Sequence, residues 1–254
     1  MVNTNYPNNC YAILLYIAFI SRCKAVWVER KIVMKKVILG LSGGMDSATL
    51  CSYYLHKGYE VLPISFFYGS KHNKYEQAMA ELFAKHYELE IHKIRLDFIE
   101  QLFKSNLLLS QGQIPEGHYE DKTMSLTVVP ARNIIFISIM AGYAWSIGAD
   151  IVAIGVHAGN HAIYEDCRSG FIAAMNASII SGTGDRVHVE APFQYMNKTE
   201  ILKLGLEINT PYHLTRTCYK DQELSCGKCG SCRERLESFA NLKIQDLIKY
   251  DKEI

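Results

Sequence analysis

An α/β fold with a doubly wound, mostly parallel sheet is predicted by three features of the sequence. Short apolar runs rich in Val, Ile and Phe alternate with longer segments of helical periodicity, the pattern of a parallel sheet covered on both faces. The first run, Lys36 to Leu41, ends in a two-glycine bend that opens into a helix. Near the C-terminus the alternation gives way to four closely spaced cysteines, a small metal-binding appendage by spacing.

The elements follow in order. Residues 1–33 do not match the rest: a polar stretch from Asn3 to Asn9 precedes an apolar, aromatic run from Tyr11 to Ile20, then Arg22, Lys24, Arg30 and Lys31. The run is too short to span a bilayer, and its positive charge follows it, opposite to a signal peptide. We expect a non-essential extension, with a natural start at Met34, and a membrane-surface anchor as the weaker alternative. Strands are expected at Lys36–Leu41, Glu60–Tyr68, Ile91–Leu96, Asp150–Val156 and Arg186–Ala191. Helices are expected at Ala48–Leu55, Tyr75–Tyr87, Phe98–Leu109, Asn133–Ile147, Phe171–Ile180 and Thr199–Ile208. The polar loop reaching Lys122 is long for a compact domain, hence functional or mobile. The expected division is an extension at 1–33, a nucleotide-binding domain at 34–210 and a zinc-binding segment with its helix at 211–254.

Composition narrows the partners. A net charge of +1, with both signs interspersed, argues against a broad electrostatic grip on nucleic acid. No apolar run is long enough for a membrane span, so no membrane partner is expected. Eight cysteines without a secretion signal indicate a reducing cytoplasm, with thiolates kept free for metal.

The bend Ser42-Gly43-Gly44-Met45-Asp46-Ser47 is a candidate phosphate loop. Glycines permit positive φ and remove the Cβ atoms that would hold a ligand away from the backbone. Amides at the following helix start converge and carry partial positive charge. The Walker A pattern is excluded, because no lysine lies between Lys36 and Lys57, and the dinucleotide fingerprint lacks its third glycine. The string resembles the loop of the PP-loop ATP pyrophosphatases, which implies cleavage of ATP to AMP and pyrophosphate and activation of a substrate oxygen as an adenylate. ATP binding is therefore assigned to Leu41, Ser42, Gly43, Gly44, Met45, Asp46, Ser47, Ala48, Thr49, Leu50 and Cys51. Cys51 also suits core packing.

Cys218, Cys226, Cys229 and Cys232 supply four thiolates for a tetrahedral ion, and Gly227 and Gly230 let the backbone wrap tightly. Four sulfurs close the coordination sphere, so one structural zinc per chain is expected. An iron–sulfur cluster has the same ligand count, and a redox dithiol would leave two cysteines without a role.

From about Lys35 to Phe239 the chain resembles the 7-cyano-7-deazaguanine synthase family. The strings that carry this are the glycine bend; Phe67-Tyr68 with Lys71-His72; Val129-Pro130-Ala131-Arg132-Asn133; Tyr164-Glu165-Asp166-Cys167-Arg168; Pro192 with Asn197-Lys198-Thr199-Glu200; and Thr217-Cys218-Tyr219 through Cys232. The resemblance implies an adenine nucleotide alpha hydrolase-like (PP-loop) fold, and a ligase that converts 7-carboxy-7-deazaguanine and ammonia to the nitrile with ATP and Mg2+. Asp46, Arg132 and Lys198 become catalytic candidates, since Arg forks across paired oxygens and Lys acts as a point charge. Asp166, Arg168, Lys71 and His72 become substrate-binding candidates. The alternative for each is an ordinary structural ion pair or loop network. A homodimer is common among related enzymes.

The sequence departs from the family pattern in two places. Ala131 stands where glycine is usual, and His157-Ala158-Gly159-Asn160-His161-Ala162-Ile163 differs from the usual segment, with Glu165 in place of proline. A related ligase that stops at the amide, or joins the carboxylate to another amine, is therefore one alternative. A tRNA-modifying sulfurtransferase is another, disfavoured by the near-zero charge and the closed thiolate set.

Overall fold

The sheet is built outward from its first strand in two directions. In the computed structural model, which describes residues 34–110, 112–117, 122–157 and 163–251, strand β1 (Lys36–Gly40) pairs on one side with β2 (Glu60–Phe67) and on the other with β4 (Ile151–Ala153). β3 (His92–Arg95) and β5 (His188–Glu190) complete the order β3-β2-β1-β4-β5, with every pairing parallel. The strand order thus reverses between β1 and β4, where Leu39 lies opposite Ala153. At such a switch point the connections depart to opposite faces and leave a crevice beyond the carboxyl ends of the strands.

Alternation along β1 divides the core. Val37 and Leu39 pack with Ala48 and Leu50 of α1 (Met45–His56), Phe83 of α2 (Asn73–His86) and Ile201 of α6 (Lys198–Glu207). Ile38 faces the other layer, with Ile137 and Met140 of α4 (Arg132–Ile147) and Ile172 of α5 (Ser169–Thr183). All three side chains are fully buried, which is why this strand reads as a continuous apolar run. α7 (Gly230–Asn241) packs on α6 through Phe239, Leu202 and Tyr212. From Lys35 onward the described residues form one compact unit, cysteine segment included.

Two expectations need correction. The helix expected over Phe98–Leu109 is a short α3 (Asp97–Leu102), because Phe103 is extended and the apolar residues beyond it serve the loop. Leu108 bridges to Ser70, and Leu107 and Leu108 are buried beneath the turn that follows β2. The long polar loop then reaches the cysteine segment, where Glu116 bridges to Cys229. The second correction concerns α4, expected to be buried on several sides. It buries one stripe, while Ile134 and Trp145 are 42% and 52% exposed. The calls on residues 1–33 and on 158–162 of the variant segment lie outside the described residues. Among the described residues no helix is long and apolar enough to cross a membrane.

Candidate active site

The glycine bend has the geometry of an anion cradle. Gly43 has φ +81°, and a Cβ there would lie 2.5 Å from the Glu76 carbonyl and 2.8 Å from the Ala80 nitrogen of α2. Only glycine lets α2 press this closely against the bend. Ser47 Oγ donates to the Gly44 carbonyl and accepts from the Ser42 amide, so the turn is tied within itself. Gly44 caps α1 without a side-chain hydrogen bond, which leaves the first amides of that helix for a ligand. From the cysteine segment, the Arg216 amide donates to the Gly43 carbonyl at 2.8 Å.

Beside the bend lies a cluster of buried charge. Lys198 Nζ is 2.5 Å from Asp46 Oδ2 and 3.4 Å from Glu234 Oε2 on α7, and His157 Nε2 is 3.6 Å from Asp46 Oδ2. Burial works to raise the Asp46 carboxyl, but Lys198 and His157 outweigh it, and its pKa lies below the usual carboxylate range. Burial lowers Lys198, yet the two carboxylates hold it above the ordinary lysine value. Glu234 is raised, because burial exceeds the pull of the ammonium. Lys198 is placed by a capping box: Asn197 accepts from the Glu200 amide while Glu200 accepts from the Asn197 amide. Asp46 Oδ1 is buried and has no hydrogen-bond partner among the described residues.

The same cavity continues from this cluster into an aromatic pocket. Tyr68, Phe136, Tyr164 and Tyr219 line it together with Arg132, Cys167, His72 and Ser231. Arg132 lies over the Tyr68 ring at 5.9 Å, and although burial opposes its charge, its surroundings keep it firmly protonated. Burial pushes the Cys167 thiol up to about 12, so it is a neutral wall group at pH 7.

The predicted residues sort clearly. Ser42, Gly44, Met45, Asp46, Ser47, Lys198, Arg132 and His72 all line the cavity. Ala48, Thr49, Leu50 and Cys51 do not: Ala48 and Leu50 pack in the core, Thr49 bonds the Tyr212 hydroxyl, and burial pushes Cys51 up to about 12. Lys71 turns away from the cavity and donates to the carbonyls of Asn106 and Leu108. Asp166 caps α4, accepting from the Asn133 amide at 3.0 Å, and Arg168 is exposed outside the lining. Ala131 has φ +55°, the left-handed region, which explains why glycine suits this position. Sequence reasoning missed Glu234 and Arg216, which have no local signature, and placed His157 only within the run after the fourth strand expected to form the opposite wall of the site.

Cys218, Cys226, Cys229 and Cys232 are all buried, with ligand atoms within 4.8 Å of one another. Backbone amides of Lys220 and Cys226 point at Cys218 Sγ, and those of Lys228 and Cys229 at Cys226 Sγ. Amides aimed at sulfur suit thiolates, so the set can hold a metal ion.

Sheet order, glycine bend and cysteine cluster together define the class, a PP-loop enzyme with a C-terminal cysteine segment. Residues 36–243 match the family described as "Queuosine biosynthesis protein QueC". The chain is 42% identical over 219 residues to a 7-cyano-7-deazaguanine synthase from Caldicellulosiruptor saccharolyticus, covering 86% of this chain and 97% of that one. It is 43% identical over 217 residues to one from Porphyromonas gingivalis, covering 85% and 98%. Among solved structures it is similar to NMN synthetase from Francisella tularensis, with a TM-score of 0.48 and 15% identity, covering 95% and 88%. The chain belongs to the queuosine biosynthesis protein QueC family and is an ATP-dependent carbon–nitrogen ligase.

Proposed function

We propose that the chain converts 7-carboxy-7-deazaguanine and ammonia to 7-cyano-7-deazaguanine, splitting ATP to AMP and diphosphate at each of two stages. The observation that carries this reading is one continuous cavity with a phosphate cradle at one end and an aromatic, arginine-bearing pocket at the other. A carboxylate oxygen is a poor leaving group. Adenylation turns it into a mixed anhydride that ammonia attacks to give the amide. Adenylation of the amide oxygen then lets it depart with AMP as the triple bond forms. The protein supplies positioning and charge: bend amides and Lys198 for the phosphates, Arg132 for the developing charge at the organic end.

Magnesium, which screens phosphate charge when bound, would be held by Asp46, whose buried, unpartnered Oδ1 is a hard oxygen donor. We assign zinc to the cysteine set because four thiolates within 4.8 Å of one another suit it. Metal analysis that finds iron and inorganic sulfide would replace this with a cluster. The exposed Ile134 and Trp145 of α4 support pairing of two copies through that face, which light scattering in solution checks. Six free thiols among the described residues and a net charge of only +1 support a cytoplasmic enzyme of small molecules without stable nucleic-acid binding.

The test is AMP release with and without the carboxylated base, ammonia and magnesium, followed by mass spectrometry of the product. Nitrile is expected. An amide or an amine conjugate would reassign the final step. ADP formation, or indifference to the carboxylated base, would overturn the reading.

A further inference from the structure

Three buried polar atoms on residues lining the cavity lack a hydrogen-bond partner among the described residues: Asp46 Oδ1, Arg216 Nε and His72 Nδ1. Ser70 Oγ, Gln194 Nε2 and Thr210 Oγ1 are also unpartnered but belong to residues off the cavity; the three on the cavity wall are places where a ligand can complete the site. Arg216 Nε is a donor and suits an anionic oxygen, and Asp46 suits a cation. His72 differs from both. It is 2% exposed, and its Nε2 lies 3.1 Å from Glu76 Oε2, one helical turn further along α2. A carboxylate only accepts, so in the neutral ring a hydrogen on Nε2 faces Glu76 and the Nδ1 lone pair is left open. The unmet need at His72 is therefore for an N–H or O–H donor.

Its position selects the donor. Glu76 is the residue whose carbonyl presses against Gly43, so the His72–Glu76 pair belongs to the wall that also forms the phosphate cradle. An adenylated carbon is bonded through oxygen to the α-phosphate and must sit close to that wall. The Tyr219 ring, tilted 38° to that of His72 at 5.3 Å between centroids, joins it in the cavity lining.

We propose that His72 is the general base for the nitrogen nucleophile, with Glu76 fixing its tautomer. The proposal rests on the ligase reading above. As ammonia adds to the adenylated carbon, the carbon–nitrogen bond forms and a nitrogen proton passes to His72 Nδ1. The carbon–oxygen bond to AMP breaks, and AMP leaves with the electron pair. The imidazolium is held against the Glu76 carboxylate until the proton passes to water.

The test uses His72→Gln, whose amide can still donate to Glu76 but offers no base. Carboxylate-dependent ATP–pyrophosphate exchange, read without any amine, should fall at least about tenfold less than amide formation does. Amide formation from ammonium at pH 7 should fall about 100-fold or more. Hydroxylamine, whose nitrogen sheds its proton to water unaided after addition, should recover most of that loss. Glu76→Gln keeps the packing and should lose about tenfold with ammonium, with a smaller loss of exchange. An unchanged ammonium rate in either variant, or an equal loss of exchange and of both amines, overturns the role of His72. A wild-type protein without exchange overturns the ligase reading itself, and the role of His72 with it.

Discussion

Two charge clusters lie against adjacent faces of α7, one through Glu234 and one through Arg235, and they are built on different plans. Arg235, fully buried, forks onto Asp246 with Nε at 2.6 Å and Nη2 at 2.9 Å. It also donates to Thr215 Oγ1, Thr217 Oγ1 and the Tyr212 carbonyl, while Asp246 accepts from the Tyr250 hydroxyl. Every strong donor has its acceptor, so this cluster is closed. The Asp46–Lys198–Glu234 cluster shares one ammonium between two carboxylates and leaves Asp46 Oδ1 unmet. Both hold a buried cation, but Asp246 is 3% exposed and Asp46 25%. The closed cluster has the form of a clamp, and the open one keeps an oxygen for a ligand.

The sharpest way to break this comparison is to remove one acid from each cluster. Asp46→Ala should lower AMP formation about 1000-fold or more, with the metal content of the cysteine set unchanged, because Lys198 keeps Glu234 as its partner. Near-normal AMP release would undo the assignment of the open cluster. Asp246→Ala should instead cost about 3–5 kcal/mol of stability, read by denaturant unfolding, since Arg235 is left buried without a counter-charge. A protein of unchanged stability would show that the closed cluster is not a clamp.

Acid sharpens the contrast. Burial raises the Asp246 carboxyl, but the Arg235 and Tyr250 hydrogen bonds and the Arg235 charge outweigh it, and its pKa lies below the usual value. A depressed folded pKa adds stability that is present above the unfolded value of about 3.9 and is lost as pH falls through the folded one. Wild-type stability should therefore hold down to about pH 4 and then fall. In Asp246→Ala, pH-dependent unfolding curves should show a shallower acid limb. The smallest effect is expected at the cap that seats Lys198. Asn197→Ala should cost about 1 kcal/mol, and a differential melting scan should register it with little change in AMP formation.

How much of this was legible in the sequence depends on how local the signal is. Strands β1, β2 and β4 announce themselves as apolar runs because both faces of the sheet are covered. The glycine bend is legible because close approach at Gly43 requires a missing Cβ. The cysteine set is legible from spacing alone. Arg235 is not: Arg233-Glu234-Arg235 reads as a solvated helix face, and only the turn beyond α7 brings Asp246 to it. Of the neighbours Lys71 and His72, the histidine is the weaker candidate by sequence, since a lone histidine is more often structural, but the chain turns at Gly69, φ +78°, and sends His72 inward and Lys71 to loop carbonyls. The overlong third helix fails for the same reason, since Leu107 and Leu108 look helical by composition and are held by pairing with the turn after β2.

Helix α7 has an angular phase that tolerates no slip. Successive residues on a helix rotate by about 100°, and within five positions this one points Ser231 at the cavity, Cys232 at the sulfur set, Glu234 at Lys198 and Arg235 at Asp246. Four separate neighbours therefore key the same shaft from different directions. A single residue inserted at its start would turn all four keys out of their locks at once.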